Sequence, residues 1–291
     1  MVERPVADWH ERGQPIQLTY ATGIGVERSN LWKRLLAFYA GAAVCVIIYL
    51  FLLNFPGLGP RGRTYGLVPV LALAATTWWL TASFLRLDGM SLYDLGLGAG
   101  DDRIAHLGIG LVAGSALTVT WILVVTLTTG ATWQLNPAFR PIALVGASLF
   151  NFFNNVGEEL AYRGYAFVRL AERFGTYVTA LATSALFALL HLQAGLPWLS
   201  VVAGVFSSGL VFAALFARWR SLPLALGFHV ATNIVQDASG LRTSAASLFV
   251  PDYSVSPAET AALTLGGIAL INLVLAAAIF MTPARHKVAA A

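Results

Sequence analysis

LLAFYAGAAVCVIIYLFLLNF, residues 35–55, runs for twenty-one positions without one charged side chain. About 20 apolar residues in a helix match the roughly 30 Å hydrocarbon core of a bilayer. Four more stretches read the same way, at 65–85, 104–129, 198–217 and 261–281. Three others, 142–165, 176–193 and 222–237, are apolar but carry a few polar or ionisable side chains. Together they predict an all-α fold: a polytopic membrane helical bundle of about eight transmembrane helices.

Composition agrees. Length alone, at 291 residues, allows one or two soluble domains. Yet 57% of the residues are apolar and 11% are charged, against about 45–50% and about 25% in ordinary globular proteins. With a mean hydropathy of +0.71 the chain lacks the charge to cover a soluble surface. The same figures exclude a disordered chain, a collagen-like repeat and a disulfide-rich scaffold. Cys45, the single cysteine, lies in an apolar run and reads as a small packing residue.

Charge sets the expected orientation. With the N-terminus inside, 14 of the 18 Lys and Arg residues fall in cytoplasmic segments and 4 in outer ones. That is the bias of the positive-inside rule, so both termini are expected in the cytoplasm. The first 34 residues hold nine charges and no apolar core, which does not read as a signal peptide. The domain reading is therefore a cytoplasmic polar tail (1–34), a membrane domain (35–283, with a motif core at 142–237) and a cytoplasmic C-terminal tail (284–291). The net charge of +4 comes without a basic run long enough to hold nucleic acid. Gly110 with Gly114, and Gly204 with Ser208, read as helix-packing pairs. His10, His106 and His286 have no matching partners in sequence, and the loop 238–260 reads as polar and mobile.

Ionisable groups inside apolar spans cost roughly 2.5–3.5 kcal/mol each to insert. They gather in three clusters: EELAYR at 158–163, FALLH at 187–191 and HVATN at 229–233. Glu159 and Arg163 are four apart, share a helix face and can pair. Glu158 lies about 100° round the helix from Glu159 and faces elsewhere, so it is the candidate general base, with Glu159–Arg163 as its support. Phe187 and His191 share a face, and so do His229 and Asn233. A glutamate, two histidines and an asparagine on three helices can activate water and hold an oxyanion, the two tasks of peptide hydrolysis. Each piece also has a plain structural reading: His191 as a helix-end histidine, Asn233 as interhelical glue, Glu159–Arg163 as a buried pair.

In this order the clusters resemble EExxxR, FxxxH and HxxxN, the signature of the CAAX-protease and bacteriocin-processing (CPBP, ABI) family of intramembrane endopeptidases. The resemblance covers about a third of the chain. It implies an eight-helix membrane protease whose site is sunk below the cytoplasmic face, acting on a peptide or protein substrate at the membrane. By analogy Glu158 and His191 activate water, His229 and Asn233 stabilise the oxyanion, and Glu159, Arg163 and Phe187 brace the site. The Ala- and Arg-rich composition points to a bacterial cytoplasmic membrane, where prenylated substrates are not expected.

Zinc is a candidate cofactor, with Glu158, His191 and His229 as a conceivable ligand set. Against it, the chain has no HExxH and no two histidines on one helical turn. The rival from another class is a non-catalytic immunity or partner-binding protein of the same fold. A transporter, the third reading, lacks the paired repeats and broken helices usual in that class. One difficulty stands in the simple topology. Span four descends past Glu158 while span five climbs away and reaches His191 at its far end. The two meet only if helix four continues to about Leu170 or span five is short or tilted.

Overall fold

All eight apolar stretches are helices in the computed structural model, which describes residues 28–58, 66–98, 102–192 and 195–282. The tails at 1–27 and 283–291, with His10 and His286, lie outside the described residues. The helices are α1 (Arg28–Leu53), α2 (Leu67–Leu87), α3 (Asp102–Thr129), α4 (Pro141–Arg163), α5 (Tyr165–Phe174), α6 (Thr176–His191), α7 (Ser207–Trp219), α8 (Leu222–Ser239) and α9 (Pro257–Met281). A π-helical turn, Ser200–Phe206, leads directly into α7. Among the described residues, five helical segments are long and apolar enough to cross a membrane: Asn30–Leu53, Leu67–Leu87, Asp102–Thr129, Ser200–Trp219 and Pro257–Met281. They coincide with the five clean stretches of the sequence. α6 is a shorter apolar helix, and α4 and α8 carry the polar clusters. Helix α1 begins at Arg28, so the polar tail expected over 1–34 gives way to helix seven residues early.

The protein is built inside out relative to a soluble bundle. Large apolar side chains such as Leu36, Phe51, Val112, Leu127 and Val274 face outward, as they do where the solvent is lipid. The core lies on α7, where ten of 13 residues are buried, and on the neighbouring half of α8. Helix α3 lies against α8 at backbone contact. A Cβ on Gly110 would stand 2.3 Å from the Leu224 carbonyl oxygen, one on Gly114 2.3 Å from that of Phe228, and one on Gly227 2.3 Å from that of Leu107. The GxxxG of α3 therefore works as a packing face, completed by a glycine of α8. The other small-residue pair works differently. Gly204 has no backbone neighbour at close range, while Ser208 accepts a hydrogen bond from Asn272 of α9.

The sequence did not anticipate α5. Span four stops at Arg163 because Gly164 turns the chain so tightly that a Cβ there would lie 2.1 Å from the Leu160 carbonyl oxygen. A ten-residue helix follows. Its Tyr165 ring meets Phe38 of α1 and Phe84 of α2, Arg169 pairs with Asp88 just past α2, and the Phe174 ring meets Trp32 near the start of α1. The contacts move back along α1 from 38 to 32, so α5 carries the chain onward past the end of α4. Helix α6 starts from that lower level and must climb eleven residues before its Phe187 ring meets Tyr162, 5.1 Å away.

At the opposite end, the loop expected to be mobile is pinned. Strand β1 (Thr132–Leu135) pairs antiparallel with β2 (Phe249–Asp252), Thr132 facing Asp252 and Leu135 facing Phe249. Arg140 N–H donates to the Ala245 carbonyl at 2.8 Å, and the Asn136 amide donates to the Ser244 and Ser247 carbonyls at 2.9 Å.

Candidate active site

The three polar clusters come together where α4, α6, α7 and α8 pack. Glu159 and Arg163 are fully buried and pair at 3.2 Å, as their spacing predicts. Arg163 also donates to the Gly209 carbonyl of α7 at 2.9 Å. Its guanidinium lies over the rings of Phe187, Phe212 and Tyr162, 4.8 to 5.8 Å from their centres. The carboxylate, the carbonyl and the aromatic faces offset the buried cation, while Arg163 Nε and Glu159 Oε2 make no hydrogen bond among the described residues.

His229 of α8 reaches across to the same carboxylate. Its Nδ1 lies 2.9 Å from Glu159 Oε1. A carboxylate clasped by Arg163 only accepts, so Nδ1 carries the proton, and Nε2 is the nitrogen turned to Glu158 Oε2, 3.6 Å away. The imidazole stacks on Phe212 with ring centres 4.2 Å apart. Glu158, whose side chain keeps 19% of its exposure, makes no contact with Arg163. It accepts instead from Asn154, one turn back, at 2.9 Å. The two adjacent glutamates thus divide as the helical angle requires, but Glu158 is less solitary than expected: Asn154 and His229 both attend it.

His191 donates from Nδ1 to the Phe187 carbonyl at 2.8 Å, since a carbonyl only accepts. That leaves its Nε2 as the free lone pair. Its ring packs on Phe187 at 4.6 Å, and Phe187 in turn meets His229 at 5.9 Å. The topological difficulty dissolves through α5. Tyr162 and Phe187 touch, and one turn toward the same end from each stand Glu158 and His191. The helix that ends early and the one that starts low bring them to one level.

Asn233 stands one turn beyond His229. It does not share a protein partner with that histidine. Its Nδ2 donates to Asn155 Oδ1 at 3.1 Å, and its Oδ1 accepts from Arg242 at 2.8 Å. A third contact follows one turn further, Asn151 donating to Asp237 at 2.7 Å. The pairs 159–229, 155–233 and 151–237 step by four in opposite directions, forming a polar ladder between antiparallel α4 and α8. Asn151, Asn154, Asn155, Asp237 and Arg242 escaped the sequence reading. The four-residue spacing of 151, 155 and 159 within an apolar stretch was their signal. His106 also has an unforeseen partner, with Nδ1 2.9 Å from Ser221 Oγ.

Zinc does not fit this arrangement. Among the described residues no three His, Cys, Asp or Glu side chains gather closely enough to hold a metal ion. Glu158 and His229 approach each other, but His191 does not close with them into a set of three.

Residues 140–235, from the start of α4 to near the end of α8, match the family model for type II CAAX prenyl endopeptidases, Rce1-like. The match covers 96 of the 291 residues and makes this segment similar to an Rce1-like endopeptidase domain. Its limits enclose all three polar clusters. Together with the helices long and apolar enough to cross a membrane, the match makes the chain similar to a membrane protein of the endopeptidase kind. No curated protein and no solved structure matched the chain.

Proposed function

We propose that the protein is an intramembrane endopeptidase that hydrolyses peptide bonds of membrane-associated proteins or peptides. Glu158 and His191 activate water, and His229 and Asn233 supply the oxyanion hole. One observation carries this reading: His229 spans the two glutamates of EELAYR, fixed by Glu159 on one side and facing Glu158 on the other. Glu159 and Arg163 then serve to orient His229 across α4 and α8, while Phe187 sets the wall between His191 and His229.

In this mechanism Glu158 takes a proton from water as its oxygen attacks the scissile carbonyl. The amide N–H of Asn233 receives the negative charge that develops on the carbonyl oxygen, and His229 joins it through Nε2, which donates once it too is protonated, since the Nδ1–H is held by Glu159. The proton then passes to the leaving amine. The protein works in a bacterial cytoplasmic membrane with both termini in the cytoplasm.

N-terminal proteomics of the host tests the assignment, with a deletion strain complemented by wild type or by Glu158→Gln. Specific new termini appear with wild type alone if Glu158 is catalytic. If Glu158→Gln restores both the termini and the phenotype, the domain acts by binding a partner, as an immunity protein does.

A further inference from the structure

We propose that Arg242, in the loop after α8, is a positioning residue that fixes which end of the Asn233 amide faces the site. This rests on the peptidase reading, in which Asn233 donates to the oxyanion. An asparagine amide offers a donor at one end and an acceptor at the other, and rotating it by 180° exchanges them. A guanidinium only donates. The Asn233 atom that Arg242 meets at 2.8 Å is therefore the oxygen, and Nδ2 is the end left to the interior. One of its two hydrogens goes to Asn155. The second meets no acceptor among the described residues and is the one left for a ligand.

The rest of the loop holds Arg242 in place. Its Nε faces Asp237 Oδ1 at 3.3 Å, and Asp237 is tied to Asn151 through its other oxygen. The Arg242 carbonyl accepts from Ser247 Oγ at 3.1 Å, and Asn136 binds the Ser244 and Ser247 carbonyls. The guanidinium also reaches the Asn233 main-chain carbonyl at 3.2 Å, the ordinary contact of a cation near a helix C-terminus. Its shorter contact to the side-chain oxygen is the one that selects the rotamer. The outer loop thus acts on the site through one side chain.

The assay uses purified full-length protein in detergent and a quenched fluorogenic peptide that spans the cleavage site identified from Glu158-dependent termini. Asn233→Ala lowers kcat about 10²–10³-fold, the loss typical of an oxyanion donor. Arg242→Met keeps the stem and removes the donors. It lowers kcat at least tenfold with KM within twofold, and Arg242→Lys, which can still donate to Oδ1, recovers part of the loss. The double variant Asn233→Ala/Arg242→Met is no slower than Asn233→Ala alone, because an absent amide cannot be misdirected. If Arg242→Met keeps the wild-type kcat while Asn233→Ala does not, the inference falls and the peptidase reading stands. Losses that multiply in the double variant, or a change in KM alone, overturn it as well. Absence of any Glu158-dependent termini removes the peptidase reading itself, and this inference with it.

Discussion

Glu158 and Glu159 are neighbours in the chain with opposite tasks, and substitution should separate them. Glu159 is fully buried with Arg163 and His229 around it. Arg163→Leu leaves that carboxylate uncompensated, and breaking a buried pair from one side costs about 3–5 kcal/mol. The expected outcome is a large fall in Tm in detergent, partly reversed in Glu159→Gln/Arg163→Leu, where no charge is stranded. Glu158 is the contrary case. Its side chain is part-exposed, and a glutamine can still accept from Asn154. Glu158→Gln is expected to change stability by less than about 0.5 kcal/mol while cleavage falls at least about 10²-fold. Equal losses of stability in the two variants would refute the division. The division was legible beforehand, because 100° between adjacent helical positions forbids both glutamates from facing Arg163. The identity of Glu158's own neighbours was not, because Asn154 and His229 come from another turn and another helix.

At the scale of elements, the site depends on how closely α8 is held. Gly114 of α3 abuts the Phe228 carbonyl, one residue before His229. Alanine is the better helix former by about 1 kcal/mol, so propensity alone favours Gly114→Ala. A Cβ 2.3 Å from a backbone oxygen decides the sign the other way, since a main-chain atom cannot swing aside as a side chain can. The variant should lose about 1–3 kcal/mol or more by thermal unfolding and lose peptidase activity as His229 shifts. Gly108→Ala on the same helix meets nothing within 4 Å and should keep both. Helix positions were readable because apolar runs of this length have few alternatives. The register between α4 and α8 was not, since contacts such as Asn151–Asp237 join residues 86 apart. Nor was α5 readable, as its ten residues include Arg169, Glu172 and Arg173 and match neither a span nor an ordinary loop. Only the glycines that bracket it, Gly164 and Gly175, marked the break.

The whole molecule sets two further expectations. One concerns metal. The candidate ligands Glu158, His191 and His229 do not close into a group of three, so protein stripped with a chelator should keep its activity. Loss of cleavage restored by Zn²⁺ would turn Glu158 from base to ligand. The other concerns orientation. With the cytoplasm at the end where α5 lies, Arg34, Arg169 and the buried Asp88 form a charge cluster there, in accord with the excess of Lys and Arg in the expected inner segments. The ribbon and Arg242 then face outward. Cys45 is buried and is the single cysteine, so replacing it with alanine gives a background for added thiols. Ala245→Cys, exposed in the outer loop, should react with a membrane-impermeant maleimide in intact cells. Arg173→Cys, exposed at the end of α5, should react only after permeabilisation. The reverse pattern would place α5 and the EELAYR end of α4 outside. Arg242 would then reach the site from the cytoplasm, and the charge bias of the loops would have failed as a guide to topology.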